Sequence, residues 1–230
     1  MSKPSILFIL TSQKSMSNGD PTGWYLPELA HPYHVLSPVA SITVASPHGG
    51  EAPLDPSSAA AFSSDEISST FLRDHSSVYK TTVPISSLLG KASSFAAIFF
   101  VGGHGPMYDL SSDPSSLSLV REFAEAGKVV AAVCHGPAGL LNVTLEDGKY
   151  LLDGEEVTGF SNEEEKLAGA QDKVPYSLED ELRKRGAKYV KAEEAWGEKV
   201  VVARGGKLIT GENPASSLAI GEAIKRAIGA

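Results

Sequence analysis

The stretch that decides the fold is Val129-Val130-Ala131-Ala132-Val133-Cys134-His135-Gly136-Pro137-Ala138-Gly139-Leu140. It begins with a run of apolar residues that does not alternate with polar ones. That pattern predicts a strand buried on both faces, as in the centre of a parallel sheet. Small residues and a proline follow the cysteine and predict a sharp turn into a helix. The order of strand, turn and helix is that of a nucleophile elbow, with cysteine in place of serine.

Similar apolar runs and intervening helical segments extend this pattern over the chain. Further buried strands are predicted at Ile6–Leu10, Ile42–Ala45 and Ala97–Val101, and helices at Leu117–Ala126, Leu178–Arg185 and Pro214–Ala227. A hairpin is predicted where Val200–Ala203 and Leu208–Thr210 flank a glycine pair. The serine-rich stretches Ser57–Thr70 and Ser111–Ser118 are predicted to be surface insertions. Alternation of strands and helices predicts an α/β fold with a doubly wound, mostly parallel sheet and helices on both faces, built as one domain over residues 1–230.

Composition narrows the functional classes. The chain has 230 residues, a formal net charge of −8 and a pI of about 5.3. This acidic balance argues against nucleic acid or an anionic membrane surface as a partner, because both require basic patches. No apolar run is long enough to span a membrane. The one cysteine cannot form an internal disulfide, which favours a reducing compartment, the cytoplasm, with the nucleus as a second location.

Cys134 is the first candidate for chemistry. An elbow projects its side chain above the carboxyl edge of the sheet, where open α/β sheets bind ligands. The positive end of the predicted helix should stabilise the thiolate and lower the pKa of the thiol. The plain alternative is an inert buried thiol, and residue type alone favours that alternative.

Two neighbouring segments supply possible partners for the cysteine. The predicted strand Ala97–Val101 ends in Gly102-Gly103-His104-Gly105, whose exposed amides would suit an oxyanion site. On glycines alone, a simple turn is an equally good interpretation. His135 is the nearest candidate base, and His104 competes for that role.

The acidic candidates are less specific. Asn162-Glu163-Glu164-Glu165 follows a strand-like segment, and Ser161 with Glu164, or Asn162 with Glu165, fits a helix capping box. Glu28 lies in an aromatic-rich stretch, where desolvation would raise the pKa of its carboxyl and let the neutral acid donate a hydrogen bond to a thiolate. The remaining histidines match no zinc spacing, so neither a metal nor another cofactor is expected; they are His31, His34, His48 and His75.

At these residues the sequence resembles the ThiJ/PfpI superfamily, and within it the fungal glutathione-independent glyoxalase branch (glyoxalase III, D-lactate dehydratase), which includes chaperone-like heat-shock members. The resemblance is carried by TGWYLPELAHPY from Thr22, SITVASPHGG from Ser41, IFFVGGHGPMYDL from Ile98, VVAAVCHGPAGL from Val129, VTGFSNEEE from Val157 and LITGENPASS from Leu208. These stretches span nearly the whole chain. They imply a flavodoxin-like sandwich similar to class I glutamine amidotransferases, and a homodimer.

The resemblance also implies roles for individual residues. Cys134 would be the nucleophile, His135 its partner and Glu165 the third member of a triad, with Glu164 as the alternative. Glu28 would contact the cysteine sulfur, and the amides near Gly103 and His135 would form the oxyanion site, beside His104. The implied reaction converts methylglyoxal and water to D-lactate without glutathione, metal or cofactor.

Two other functional classes stay open at this point. Cys, His and Glu serve equally well in an amidase or peptidase. A non-enzymatic stress protein would use Cys134 as a redox sensor, or an exposed apolar patch as a holdase. The discriminating observations are turnover of a small reactive carbonyl compound, cleavage of amides, and suppression of client aggregation.

Overall fold

The computed structural model describes residues 3–230 and centres on one seven-stranded sheet. The strands are β1 (Ser5–Ile9), β2 (Ser41–Ser46), β3 (Val83–Pro84), β4 (Ala97–Phe100), β5 (Val129–Val133), β6 (Glu156–Val157), β7 (Lys188–Tyr189), β8 (Val200–Ala203) and β9 (Leu208–Gly211). The large sheet has the order β3-β2-β1-β4-β5-β9-β8, while β6 and β7 form a separate pair. Within the large sheet only β8 is antiparallel to its neighbour. The predicted doubly wound, mostly parallel sheet is confirmed.

Helices lie between and beside these strands. They are α1 (Leu26–Leu36), α2 (Pro56–Ala61), α3 (Glu66–Asp74), α4 (Ser77–Lys80), α5 (Pro114–Glu125), α6 (Asn162–Leu167), α7 (Leu178–Lys184) and α8 (Ser217–Ala227). Helices α1 and α8 pack against each other, and α5 packs against β4 and β5. Strands β4 and β5 are buried along their whole length, as their unbroken apolar runs predict. Both faces of the sheet centre are therefore covered. Across residues 3–230, no helix combines the length and apolar character that crossing a bilayer requires.

The register of the central strands brings their carboxyl ends to one place. Phe100 pairs with Ala132 between β4 and β5, and Val133 pairs with Gly211 between β5 and β9. The segments that follow these strands therefore meet at one edge of the sheet. Ligands bind at such an edge in open α/β sheets.

The hairpin between β8 and β9 was also predicted correctly. Its turn, Arg204–Gly206, has positive φ angles at all three residues. Glycine adopts this backbone conformation without steric cost, and two of the three residues are glycines. The antiparallel edge strand follows from this turn.

Three local predictions differ from the structure. The stretch Ser57–Thr70 lies largely at the surface, but it forms parts of α2 and α3, with Ser58 and Ser68 buried. Within the second serine-rich stretch, α5 already begins at Pro114, one residue after its capping Asp113. The helix expected after Cys134 is a 3-10 segment, Gly136–Leu140, and not an α-helix. Serine content misled the first two predictions, because an Asp N-cap starts each of the three helices, followed by Pro in α2 and α5.

Candidate active site

Cys134 follows β5 directly and has a strained backbone. Its φ is +58°, in the left-handed region that non-glycine residues rarely adopt. Two hydrogen bonds hold this conformation: the Cys134 amide donates to Gly211 O at 2.9 Å, and the Phe160 amide donates to Cys134 O at 2.9 Å. Such strain costs about 1–3 kcal/mol and concentrates at functional sites. The elbow geometry that the sequence predicted is present.

Glycines beside the cysteine allow neighbouring backbone to come close. A Cβ added at Gly102 would lie 2.5 Å from Val133 O and 2.8 Å from the Cβ of Cys134. A Cβ at Gly136 would lie 2.5 Å from Phe100 O. Any side chain at these positions would push apart the ends of β4 and β5. The glycines in the GGHG and CHG segments therefore have a packing reason as well as a chemical one.

A chain of contacts links Cys134, His135 and Glu165. Sγ of Cys134 lies 3.3 Å from Nδ1 of His135, and Nε2 of the same ring lies 2.7 Å from Oε2 of Glu165. The other oxygen of Glu165, Oε1, lies 2.8 Å from Nε2 of His104. His135 and Glu165 are buried, and His104 is partly exposed. One carboxylate therefore contacts both histidines that the sequence singled out.

The protonation states follow from this geometry. Burial acts to raise the pKa of Glu165, but the two histidines outweigh it and hold that pKa well below 4.5. An ionised carboxylate only accepts hydrogen bonds, so the Nε2 atoms of His135 and His104 both carry protons. Burial lowers the pKa of His135 below 6.5, which keeps the ring neutral near pH 7. Nδ1 of His135 is then unprotonated and faces the sulfur as an acceptor.

Helix α6 decides which glutamate joins the site. Its N-cap is Ser161, whose side chain accepts from the Glu164 amide while the Glu164 carboxylate accepts from the Ser161 amide, forming a capping box. The box turns Glu164 back onto the helix start. The next residue, Glu165, then faces the histidines. Of the two registers left open by the sequence, the structure has Ser161 with Glu164 in the box.

Glu28 is buried on the far side of the cysteine, in the first turn of α1. Neither of its carboxyl oxygens has a hydrogen-bond partner among residues 3–230. Burial raises the pKa of this carboxyl well above 4.5. A Cβ at Gly102 would meet both Glu28 Oε2 and the Cβ of Cys134, so the two side chains lie close together beside this glycine. A protonated carboxyl therefore lies beside Cys134, and its role toward the sulfur stays a prediction.

The expectation about the thiol is wrong in direction. Burial raises the pKa of the Cys134 thiol well above 9.0. The expected α-helix dipole is missing, because only a five-residue 3-10 segment follows. The amide of Gly103 lowers the pKa, but its effect is smaller. The resting thiol therefore keeps its proton, and the neutral Nδ1 of His135 is placed to accept it during attack.

Two backbone amides beside Cys134 have no oxygen acceptor within residues 3–230, and one of them, the Gly103 amide, faces the sulfur and lowers the thiol pKa. Within the described part of the chain, neither the Gly103 amide nor the His135 amide donates to a protein oxygen. Gly103 has a φ of +92°, which turns its peptide in a way that other residues rarely allow. Free amides facing a developing oxyanion are the feature that an oxyanion site requires.

A cavity of about 380 Å³ opens over these groups and includes Cys134, His135, His104 and Gly103 in its lining. The structure thus brings all six sequence-predicted residues to one place, with Glu28 behind the cysteine and Glu165 behind the two rings. The roles of these residues remain predictions. The sequence interpretation missed other lining residues, chiefly Trp196, Tyr25 and Lys173. The signal for Trp196 was an isolated aromatic residue in a polar, glycine-containing stretch.

His104, His135 and Glu165 also place three potential ligand atoms within 4.8 Å of one another. A divalent metal would find two imidazoles and a carboxylate there. Both Nε2 atoms already lie at hydrogen-bond distance from the carboxylate. The arrangement therefore has an explanation that needs no metal, and the expected absence of a metal stays a prediction.

The sequence model of the DJ-1/PfpI family matches residues 28–227. The chain belongs to the DJ-1/PfpI family. The matched region contains Glu28, Cys134, His135 and Glu165. Membership of the DJ-1/PfpI family agrees with the ThiJ/PfpI resemblance stated from the sequence motifs.

Relatives within the family are similar over almost the full chain. Glutathione-independent glyoxalase HSP31 of Saccharomyces cerevisiae is 30% identical over 226 residues, which cover 94% of each chain. Among solved structures, the Rapid Encystment Protein 24 KDa of Francisella tularensis superposes with a TM-score of 0.91 and 37% identity, covering 99% of this chain and 100% of that one. Glyoxalase III of Candida albicans gives a TM-score of 0.85 and 27% identity, with 97% of each chain covered.

Proposed function

We propose that this protein is a glutathione-independent glyoxalase that converts methylglyoxal and water to D-lactate. The observation that carries the proposal is the continuous contact from Cys134 through His135 to Glu165, at the base of a cavity beside two amides that have no oxygen acceptor in the described chain. Relatives named as glutathione-independent glyoxalase and glyoxalase III support the same choice. The protein is then an enzyme of the lyase class.

The first step forms a covalent adduct. The Cys134 thiol passes its proton to Nδ1 of His135 as the sulfur attacks the aldehyde carbon. The aldehyde oxygen becomes an oxyanion, which the Gly103 and His135 amides stabilise, and then takes a proton to give a hemithioacetal. The Glu165 carboxylate stabilises the imidazolium that forms between these events. General base catalysis and one oxyanion donor each contribute roughly a hundredfold or more.

The second step moves a proton between adjacent carbons. A base removes the proton from the carbon that bears sulfur, giving an enediol, and protonation of the neighbouring carbon gives a thioester. His135 and His104 line the cavity and can carry this proton, whereas Glu28 is fully buried and does not line it. We therefore assign the shuttle to the histidines. Water then hydrolyses the thioester to D-lactate and the free thiol, so the overall reaction consumes one water and no thiol.

The neutral Glu28 acts on the sulfur and not on the substrate. When Cys134 loses its proton, a protonated carboxyl beside it can donate a hydrogen bond to the thiolate. A carboxylate there would repel the thiolate. Burial keeps the carboxyl protonated, since it raises the pKa of Glu28.

The proposal is tested by incubating the purified protein with methylglyoxal, in the absence of glutathione and in the presence of a chelator, and assaying D-lactate enzymatically. We expect D-lactate in proportion to protein concentration. A folded preparation that yields none defeats the proposal. Hydrolysis of an amide or peptide panel with methylglyoxal untouched would instead identify a cysteine amidase, which the same three residues would serve.

We further propose the setting in which this activity operates. The enzyme acts on a small reactive carbonyl compound without a cofactor, as a homodimer, in the cytoplasm. The single cysteine, which has no partner for an internal disulfide, supports a reducing compartment. Size-exclusion chromatography with light scattering tests the dimer, and fractionation of cells tests the compartment.

A further inference from the structure

Trp196 is an exposed aromatic residue held in an unfavourable backbone conformation. Its φ is +66°, and 45% of its surface is accessible to solvent. A bulky residue with positive φ is a true outlier, and such strain persists only where the surroundings impose it. Strained residues cluster at ligand clamps and active sites. The conformation therefore calls for an explanation beyond packing.

Hydrogen bonds to buried polar side chains hold the backbone of Trp196 in this conformation. The Trp196 amide donates to Oε1 of Glu164 at 3.0 Å, and Nδ2 of Asn213 donates to the same oxygen at 2.8 Å. Nδ2 of Asn213 also donates to Gly197 O at 2.7 Å. Glu164 and Asn213 are fully buried. The tryptophan is thus anchored to Glu164, the residue that forms the capping box of α6 with Ser161.

The indole ring continues the wall of the catalytic cavity. Its centroid lies 5.5 Å from that of Phe160 in an edge-to-face contact, and Phe160 lies 4.5 Å from the His135 ring. Trp196 therefore stands at the end of an aromatic row that starts at the proposed base. Its position fits a contact with the substrate more than a contact with the core.

A second cavity of about 520 Å³ lies on the other side of this wall. The two cavities share Tyr25, Trp196 and Pro214. The outer part of the second cavity, which we call the apolar groove, is formed by Phe62, Ile67 and Leu218. Its polar lining residues are His31, which is paired with Asp65 at 2.9 Å, and Glu198 at the edge. The groove offers aromatic and aliphatic surface to a ligand.

The combined space is large for the smallest substrate. Cavities of roughly 300–1,000 Å³ enclose drug-sized ligands, and a three-carbon oxoaldehyde is far smaller than those. The catalytic cavity alone measures about 380 Å³, and the second cavity begins at the same Tyr25, Trp196 and Pro214 that line the first. A larger molecule that reacts at Cys134 would place its remaining atoms against Tyr25 and Trp196.

We propose that the apolar groove binds the non-reacting group of larger α-oxoaldehydes, those that carry an aromatic or branched aliphatic substituent beside the ketone. This inference rests on the proposed glyoxalase function and specifies its substrate class. The reacting aldehyde carbon bonds to the Cys134 sulfur, and the substituent extends past Trp196 toward Leu218. The chemistry is unchanged: one water adds, and the product is the 2-hydroxy acid with the same substituent.

The test compares kcat/KM for methylglyoxal and phenylglyoxal. We expect phenylglyoxal to be preferred by roughly tenfold or more, the discrimination that an apolar pocket supplies for added apolar atoms. We expect three variants each to lower the ratio of kcat/KM for phenylglyoxal to kcat/KM for methylglyoxal: Leu218→Ser, Phe62→Ser and Trp196→Ala. Because the ratio is compared between variants, differences in the intrinsic reactivity of the two aldehydes cancel. Val202→Ser is the matched control, since Val202 is an exposed apolar residue on β8 outside both cavities.

The outcomes separate the inference from the function. Equal kcat/KM values, or variants that alter both substrates by the same factor, overturn the groove while leaving the glyoxalase in place. Turnover of neither aldehyde by folded protein defeats the glyoxalase itself. The variants are also measured by light scattering. Loss of a dimer in Leu218→Ser would show that a second copy covers the groove, which likewise overturns the inference.

Discussion

Nε2 of His135 lies 2.7 Å from Oε2 of Glu165. This contact fixes the tautomer of the ring. An ionised carboxylate only accepts hydrogen bonds, so Nε2 carries the proton of the neutral imidazole and the other nitrogen is unprotonated. That other nitrogen, Nδ1, lies 3.3 Å from the Cys134 sulfur. The base is therefore prepared before the substrate arrives.

Replacing Glu165 by glutamine tests the tautomer directly. The amide keeps the shape of the carboxylate but offers an N–H as well as an oxygen, so His135 loses its fixed orientation. We expect kcat to fall by about 10²–10⁴-fold, the range for loss of general acid–base function. Steady-state kinetics with methylglyoxal measure the effect, with circular dichroism to verify folding.

Glu163→Gln is the matched control for that substitution. Glu163 lies on the same helix, is about half exposed and pairs with Lys191 at the surface. Exposed pairs contribute about 0–1 kcal/mol, so kcat should stay at the wild-type value. A Glu165→Gln enzyme as active as Glu163→Gln would remove Glu165 from the mechanism.

Ser161→Ala should weaken the helix that carries Glu165. Loss of an N-cap costs about 0.5–2 kcal/mol in the free energy of unfolding. Because Ser161 and Glu164 form the capping box, kcat should fall together with stability. Urea unfolding and kinetics measure the two effects in parallel.

Asp113→Ala provides the comparison, since Asp113 caps α5 by accepting from the Ser116 amide at 2.7 Å. It should lose a similar free energy of unfolding and keep its kcat. If the two variants lose kcat equally, the cap at Ser161 has no special link to the site.

The pH dependence of kcat/KM should follow His135. In the folded protein, burial lowers the pKa of this imidazole below its ordinary value of 6.5. The ring therefore stays neutral, and able to accept the thiol proton, until the pH falls below 6.5. We expect kcat/KM to be constant from pH 7 down to that region and to decline at lower pH. An acid limb centred above pH 6.5 would contradict the assignment of His135 as the base.

Glu212 gives a prediction about stability. Burial raises the pKa of its carboxyl to about 7, from 4.5 for the exposed group. Between these values the unfolded chain releases a proton that the folded chain keeps, so the free energy of unfolding falls as the pH rises from 4.5 to 7. The total effect is at most about 3 kcal/mol.

Glu212→Gln should remove the part of this decrease in the free energy of unfolding that is due to Glu212. Urea unfolding at pH 5 and at pH 7 measures the decrease. Glu222→Gln on the exposed side of α8 is the control and should retain the wild-type slope. The other buried carboxyl groups are common to all three proteins and cancel. Identical slopes for wild type and Glu212→Gln would contradict the raised pKa.

The sequence was sufficient for the sheet and the elbow because both depend on local patterns. Unbroken apolar runs predict buried parallel strands, and a small-residue turn after β5 leaves few other conformations for Cys134. The glutamates were harder. Ser161 and Asn162 both fit a capping residue, and only the folded chain shows that Glu164 closes the box while Glu165 reaches the histidines.

Two features could not be read from the sequence for physical reasons. The thiol pKa depends on how deeply Cys134 is buried and on Glu28, which is distant along the chain but adjacent in space. The sequence suggested a helix dipole that the five-residue 3-10 segment does not supply. Trp196 was missed because its role depends on Glu164 and Asn213 holding a polar segment over the cavity.

The most direct test of the account is the D-lactate yield of Cys134→Ser compared with wild type at equal protein concentration. Cys134 is the only cysteine, so the substitution removes every thiol from the chain. The account predicts wild-type turnover and a variant that is folded but yields no D-lactate above a protein-free blank. A folded Cys134→Ser protein that retains turnover would contradict the central claim, that this sulfur is the nucleophile.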